Sequence, residues 1–169
     1  MLRFRSVRIG QGIEDPEMGP VISQVQRDTI LDYIRIGVEE GVRIAVGAER
    51  PSNPSLLSGG YYVQPTILDQ AGVSFRVSQE EIFGPVLHVA TFEAKNIDKV
   101  VDDVNAKGYG LTFGIHSRVD RRVERISSRI KVGNTYVNRN QIGAIVGSQP
   151  FGGEGLSGPG PKAGGTQYV

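Results

Sequence analysis

The chain has no cysteine. That excludes disulfides, cysteine-containing zinc sites and a thiol nucleophile among these residues. Histidine is scarce as well: His88 and His116 stand apart in strand-like runs. A His-rich metal site is therefore not expected, and each ring reads as an ordinary strand residue. Charge of one sign is not in excess, since the formal net charge is +1 over 169 residues. Nothing in that balance calls for nucleic acid or an anionic membrane surface. No apolar run approaches the roughly 18 residues a membrane span needs. Met1-Leu2-Arg3-Phe4-Arg5 is basic but lacks a following apolar h-region, which argues against a signal peptide and for a cytoplasmic location. With 38% apolar residues the chain can bury a core, and one domain over 1–169 is expected.

Glycine is abundant, at 23 residues, and concentrates in the last quarter. Residues 1–20 are punctuated by Gly10, Gly12, Asp15-Pro16 and Gly19-Pro20, with a short edge strand possible at Val7 and Ile9. Ile30, Ile34 and Val38, widened by Leu31, give a helical stripe over about 21–40 that ends at Gly41, a natural left-handed cap. Strands are expected at 42–47 and 61–68, the second irregular at Pro65. Ser78 with Glu81 three residues on reads as the capping box of a helix start. A strand over 86–92 follows. Asn96 is placed as cap of a helix bearing Ile97, Val100, Val101 and Val104, closed by Gly108 and Gly110. Strand 111–116, a helix capped by Asp120 with Val123, Ile126 and Ile130 inward, and strand 131–138 complete the series. Strand alternating with helix argues for an α/β fold built on a largely parallel twisted sheet flanked by helices.

The tail, 147–169, is Gly/Pro-rich and expected to hold no regular element; an ordered loop of that length is usually functional. Within it Gly153-x-Gly155-x-x-Gly158 matches the dinucleotide fingerprint. That motif needs a helix opening at its last glycines. Pro159 and Pro161 disfavour one, and the match reads as accidental.

The stretch that organises the chain is Gln79-Glu80-Glu81-Ile82-Phe83-Gly84-Pro85-Val86-Leu87. A carboxylate accepts two hydroxyl hydrogen bonds at once, and a neighbouring ring can cover a planar heterocycle. The plain alternative is a surface helix end followed by a buried strand. Gly143 reads as a glycine that lets the backbone beside Ala144 turn its amides toward an anion, or as a simple turn. Phe151, followed by two glycines, faces either a pocket or the core.

Glu80-Glu81-Ile82-Phe83-Gly84-Pro85-Val86, Tyr109-Gly110-Leu111-Thr112 and Pro150-Phe151-Gly152-Gly153, in that order, resemble the C-terminal half of the aldehyde dehydrogenase superfamily. Met18-Gly19-Pro20-Val21-Ile22-Ser23 and Gly60-Tyr61-Tyr62-Val63-Gln64-Pro65-Thr66 resemble its catalytic domain. Gly133-Asn134-Thr135-Tyr136-Val137-Asn138-Arg139-Asn140, then 142–147 and 149–158, are similar to the Δ1-pyrroline-5-carboxylate dehydrogenase branch, in particular the dehydrogenase module of bifunctional proline utilization A proteins.

The resemblance implies NAD as cofactor, bound mainly by a separate Rossmann-like domain, and an aldehyde, L-glutamate γ-semialdehyde, as substrate. A cysteine thiol attacks the aldehyde in the family, hydride passes to the nicotinamide, and water releases the acid. By position Glu81 corresponds to the carboxylate on the nicotinamide ribose hydroxyls and Phe83 to the aromatic beside the nicotinamide. Gly143 and Ala144 match the loop whose amides take the substrate carboxylate. Phe151 matches the aromatic on the substrate's aliphatic part. No catalytic residue and no metal ligand is assigned. The chain is thus expected to be a partial catalytic domain without the Rossmann half and inactive alone. It is also expected to be a homo-oligomer or to associate with the missing N-terminal part. The alternative is a non-catalytic aldehyde-dehydrogenase-like assembly or oligomerisation module. Retained Glu81, Phe83 and Gly143-Ala144 favour the enzyme fragment, because an assembly module has no use for them.

Overall fold

The structure, a computed structural model, describes residues 2–49, 51, 56, 59–143, 148–158 and 160–166. The chain divides into two compact units, Met1–Thr91 and Phe92–Val169, and each is described by itself. The division follows β3 (Val86–Val89), which stops three residues short of the expected strand; residues 90–96 are exposed and leave the ladder.

In the first unit a short helix α1 (Leu2–Arg5) precedes α2 (Gln24–Glu39). Helix α2 begins later than the apolar stripe suggests because Ser23 caps it, its Oγ accepting from the Gln26 amide at 3.1 Å. Gly41 closes it at φ +97°. Ile30 and Ile34 are buried, but Val38 is 46% exposed. Gly37 takes the inward place, where a Cβ would meet Val77 at 3.1 Å. The core cluster Ile30, Ile34, Val63 and Ile82 lies under α2, and a second gathers Val42, Leu68, Ala71 and Val77. Fully burying such side chains stabilises by about 1.5–3 kcal/mol each.

Strand β1 (Arg43–Val46) pairs antiparallel with β2 (Thr66–Asp69), and β2 pairs parallel with β3. Residues 61–65 contribute only a bridge from Tyr61 to Val21. Pro65 has no N–H to give a ladder, so the strand begins at Thr66. At Val7 and Ile9 the edge strand reduces to one bridge, Ile9 to Met18. The helix start expected at Ser78 is not formed. A 3-10 turn, Arg76–Ser78, ends there instead, and Ser78 Oγ is buried with no partner among the described residues. A helix begun at Ser78 would run into Gly84-Pro85, whose ring restricts the preceding residue. His88 lies in β3 with Nε2 likewise buried and unpartnered among the described residues.

In the second unit α3 (Ile97–Asn105) follows a 3-10 turn, Ala94–Asn96, so Asn96 sits at the cap position without a side-chain cap bond. Helix α4 (Asp120–Ser127) takes Val119 as its cap residue and places Asp120 in the first turn. Ser117 Oγ accepts the Val119 amide at 3.1 Å. Val101, Ile115, Ile126 and Ile130 form the core. Arg125 and Arg129 pair with Asp98, and Arg129 also with Asp102, tying α3 to α4. Strand β4 (Tyr109–Gly110) pairs antiparallel with β7 (Glu154–Gly155), and β5 (Thr112–Ile115) pairs parallel with β6 (Asn134–Val137). The pairings are thus half parallel and half antiparallel among the described residues, in three small sheets, where a largely parallel sheet was expected. The tail contributes the antiparallel half of the second unit: its glycines leave room for the backbone to dock, with Leu156 N–H donating to the Gly108 carbonyl at 2.8 Å. Glu154 and Gly155 being strand, the fingerprint-like glycines open no helix.

Two predictions follow from the first unit's packing. A Cβ on Gly84 would stand 2.6 Å from Cδ1 and Cγ1 of Ile30, which is fully buried and has no free space to turn into. Gly84→Ala is expected to destabilise by about 1–3 kcal/mol, and Ile30→Val in the same chain to return part of that loss; urea midpoints measure both. Burial pushes the His88 imidazole below its usual value of 6.5. The unfolded chain therefore binds the proton first, and the stability tied to His88 is complete above that value and falls as the pH drops beneath it. His88→Gln should flatten this acid-side decline in the melting temperature; an unchanged slope contradicts it.

Candidate functional site

The two carboxylates of Glu80-Glu81 have different fates. Arg76 Nε donates to both oxygens of Glu80 at 3.0 Å, and the Tyr33 hydroxyl donates to it at 2.5 Å. The Arg76 guanidinium, then the Tyr33 hydroxyl, hold the Glu80 carboxyl below the usual carboxylate range. Arg76 also lies over the Tyr33 ring at 5.5 Å. Glu80 thus braces the 3-10 turn to α2. Glu81 is exposed and has no hydrogen-bond or ion-pair partner among the described residues.

The next three residues alternate sharply. Ile82 enters the core under Ile30, while Phe83 turns outward with 74% of its surface exposed. Phe83 does so at φ +53°, a left-handed conformation that is rare for a bulky side chain and costs on the order of 1–3 kcal/mol. Gln26 offsets that strain. Its Nε2 donates to the carbonyls of Ile82 and Phe83 at 3.0 and 2.9 Å. Glu81 and Phe83 together border a cleft of about 420 Å³ whose other walls include Ser78, Gly84 and His88. A carboxylate with both oxygens free beside an exposed ring suits a ligand with paired hydroxyls and a flat heterocycle.

The second unit holds the other two described residues singled out from sequence. Gly143 is exposed at φ +59°, and its carbonyl accepts the Tyr136 hydroxyl at 2.6 Å. Phe151 is half-buried and bridged to Ala163 by two backbone bonds of 3.0 and 2.8 Å. Asn134 flanks it on both sides: Nδ2 donates to the Pro150 carbonyl at 3.0 Å, and Oδ1 accepts the Gly152 amide at 3.3 Å. Ala144 lies outside the described residues. A cleft of about 430 Å³ opens beside β6, lined by Asn134, Tyr136, Arg139, Gln149 and Lys162 among others. Phe151 is not one of its walls.

Gln26, Asn134 and Tyr136 were not singled out from the sequence. Gln26 acts across 57 residues to Phe83, Asn134 across 16 and 18, and Tyr136 across seven, and a polar residue on a helix or strand carries no sign of such a bond in its immediate neighbours. The only available signal was that Asn134 and Tyr136 stand two apart in a strand, hence on one face. No helix of the described residues is long and apolar enough to cross a membrane.

These geometries belong to a known lineage. The chain is 48% identical over 153 residues to the bifunctional protein PutA of Rhizobium meliloti, a match that covers 90% of this chain and 12% of that protein. It is 43% identical over 152 residues to the 1-pyrroline-5-carboxylate dehydrogenase of Geobacillus sp. (strain WCH70), covering 90% of this chain and 28% of that protein. In three dimensions it matches the 1-pyrroline-5-carboxylate dehydrogenase from Thermus with bound NAD, with a TM-score of 0.87 and 36% identity, over 97% of this chain and 30% of that one. The chain therefore spans between 12% and 30% of the length of these relatives. A model of the aldehyde dehydrogenase family matches residues 2–169, and the chain belongs to that family.

Proposed function

We propose that residues 1–169 form part of the catalytic domain of an NAD-dependent aldehyde dehydrogenase that oxidises L-glutamate γ-semialdehyde to glutamate in proline catabolism. The observation that carries the reading is the unequal use of the Glu80-Glu81 pair. Glu80 is consumed by Arg76 and Tyr33, whereas Glu81 stays unpartnered among the described residues, beside an exposed Phe83 whose backbone is held against its own preference. The similarity to PutA proteins and 1-pyrroline-5-carboxylate dehydrogenases supports the choice of substrate.

On this reading the chain's own residues bind and orient. Glu81 accepts hydrogen bonds from the nicotinamide ribose hydroxyls, and Phe83 covers one side of the nicotinamide. The left-handed backbone at Phe83 commits the ring to that direction before any ligand arrives. NAD, when bound, supplies the hydride acceptor. Gly143 and Ala144 receive the substrate carboxylate through backbone amides, and Phe151 packs on its aliphatic part. The loop 147–169 then serves as the substrate side of the domain. These residues contain no thiol, so the nucleophile of the reaction comes from elsewhere in the protein. The same division of labour leads to association with the remainder of the enzyme and to a homo-oligomer.

In the full-length protein that carries this chain, Glu81→Gln is expected to raise the KM for NAD by roughly 10- to 100-fold, the worth of hydrogen bonds to a charged group. Glu80→Gln is expected to lower thermal stability and to leave that KM within about twofold. A Glu81 variant with wild-type KM for NAD refutes the assignment. A polypeptide of these 169 residues alone is expected to form no NADH from L-glutamate γ-semialdehyde; sustained absorbance growth at 340 nm would remove the proposal that its nucleophile lies elsewhere.

A further inference from the structure

We infer that one face of β6 positions the substrate side of the site, with Tyr136 setting the discrimination for a carboxylate-bearing aldehyde and Asn134 fixing the aromatic at Phe151. The inference rests on the proposed activity and adds two residues to it. Asn134 and Tyr136 are two apart in a strand, so their side chains leave the same face. Tyr136 is 5% exposed, and its hydroxyl reaches out of the core to the Gly143 carbonyl at 2.6 Å. The Arg139 guanidinium lies over the Tyr136 ring at 5.1 Å. The Tyr136 hydroxyl bond holds the Gly143 carbonyl in one direction. Gly143 is otherwise exposed, sits at φ +59°, and a Cβ there would meet nothing within 4 Å. Among the described residues, the Tyr136 hydroxyl is the side-chain bond that restrains this turn.

Asn134 works by the same logic on the other segment. Its amide holds the carbonyl before Phe151 and the N–H after it, while the Ala163 bridge holds Phe151's own backbone. Lys162 adds a bond from Nζ to the Gly133 carbonyl, next to Asn134. Phe151 is therefore fixed at its own residue and at both neighbours. Gly133 allows that closeness: a Cβ on it would coincide with the Gly152 carbonyl oxygen at 1.6 Å. A phenylalanine whose main chain is held this firmly, and whose side chain is only half-buried, keeps apolar surface open to a ligand, where a core aromatic would be covered.

The two residues make different demands on the substrate. A turn that receives a carboxylate matters to L-glutamate γ-semialdehyde and not to an uncharged aldehyde of similar length such as pentanal. An aromatic against the aliphatic chain matters to both. The test compares wild type, Tyr136→Phe and Asn134→Ala in the full-length protein, with both aldehydes, and measures the Kd of L-glutamate by calorimetry. Tyr136→Phe keeps the buried ring. It is expected to reduce the ratio of kcat/KM for the semialdehyde over pentanal by roughly two- to tenfold, and to weaken glutamate binding by a similar factor. Asn134→Ala is expected to raise the KM for both aldehydes by a similar factor, with the KM for NAD held. An unchanged ratio in Tyr136→Phe, or equal losses on both aldehydes, overturns the role of Tyr136. A rise in the KM for NAD in Asn134→Ala marks a general structural defect and overturns that of Asn134. A wild-type protein that shows no preference for the carboxylate-bearing aldehyde refutes the substrate reading itself, and the inference with it. The wild-type arm separates that failure from the other two.

Discussion

The geometry of the first unit depends on how closely the backbone at Gly84 approaches Ile30. Ile30 is fully buried on α2, and there is no room between it and Gly84 for even one carbon. That contact brings the loop 82–85 flat against the helix, and the consequences run outward in order. Ile82 is carried into the core. Gln26, one turn before Ile30 on the same helix face, comes within reach of two consecutive carbonyls. Phe83, with the main chain held on either side, takes a left-handed conformation and turns its ring to solvent. An ordinary loop would relax by rotating that residue into the extended region. Here the rotation would break both bonds to Gln26 and withdraw Ile82, so packing outweighs local preference.

The second unit solves a comparable problem with the same parts. An amide side chain holds the main chain around a phenylalanine, and a glycine beside that phenylalanine permits a close backbone approach. Asn134 does for Pro150-Phe151-Gly152 what Gln26 does for Ile82-Phe83-Gly84. Both phenylalanines precede a glycine, and the recurrence has a physical basis. An amide group carries donors and an acceptor with little side-chain bulk and no charge to desolvate. It can therefore bind main-chain groups at the margin of a core, where a lysine or glutamate would have to be paired. The glycine removes the one atom that would hold its neighbour off, the Ile30 side chain at Gly84 and Lys162 at Gly152.

This arrangement explains what the sequence made legible. Periodicity located α2, α3 and α4 because apolar residues recur at helical spacing and the inward ones, Ile30 and Ile34 in α2, Val101 in α3 and Ile126 in α4, are in fact buried. The Glu81-Phe83 pair was visible as a local motif, since both residues and their glycine are neighbours in the chain. The false helix start at Ser78 shows the limit of such local reading. Ser78 and Glu81 have the spacing of a capping box, but Glu80 is drawn instead to Arg76 and to Tyr33, which lies 47 residues away. The tail failed for a related reason. Its glycines look like a lack of structure, and several of them are where backbones pack directly on one another. Gly133 against Gly152 and Gly155 against Gly108 are contacts without side chains, and no residue-type signal reports them.

The bare carboxylate at Glu81 is the last step. A pair of neighbouring carboxylates beside one arginine has an obvious arrangement in which both share the cation. The structure does not use it. Tyr33 and Arg76 saturate Glu80, and the phenol, which prefers a charged acceptor to water at that edge, helps hold Glu80 in place. Glu81 consequently makes no ion pair among the described residues, and an exposed ion pair would in any case be worth only about 0–1 kcal/mol. Keeping it bare therefore sacrifices little in the folded state. On the proposed reading, what it preserves is acceptor capacity: a ligand's hydroxyls meet a carboxylate that surrenders only water, with no internal bond to break. Phe83 follows the same economy in reverse, since its strain is met by Gln26 within the fold and not by the ligand. On the proposed reading the fold has met the cost of orienting both groups before the cofactor binds, which is the condition under which a hydrogen bond and a stacked ring add most to affinity.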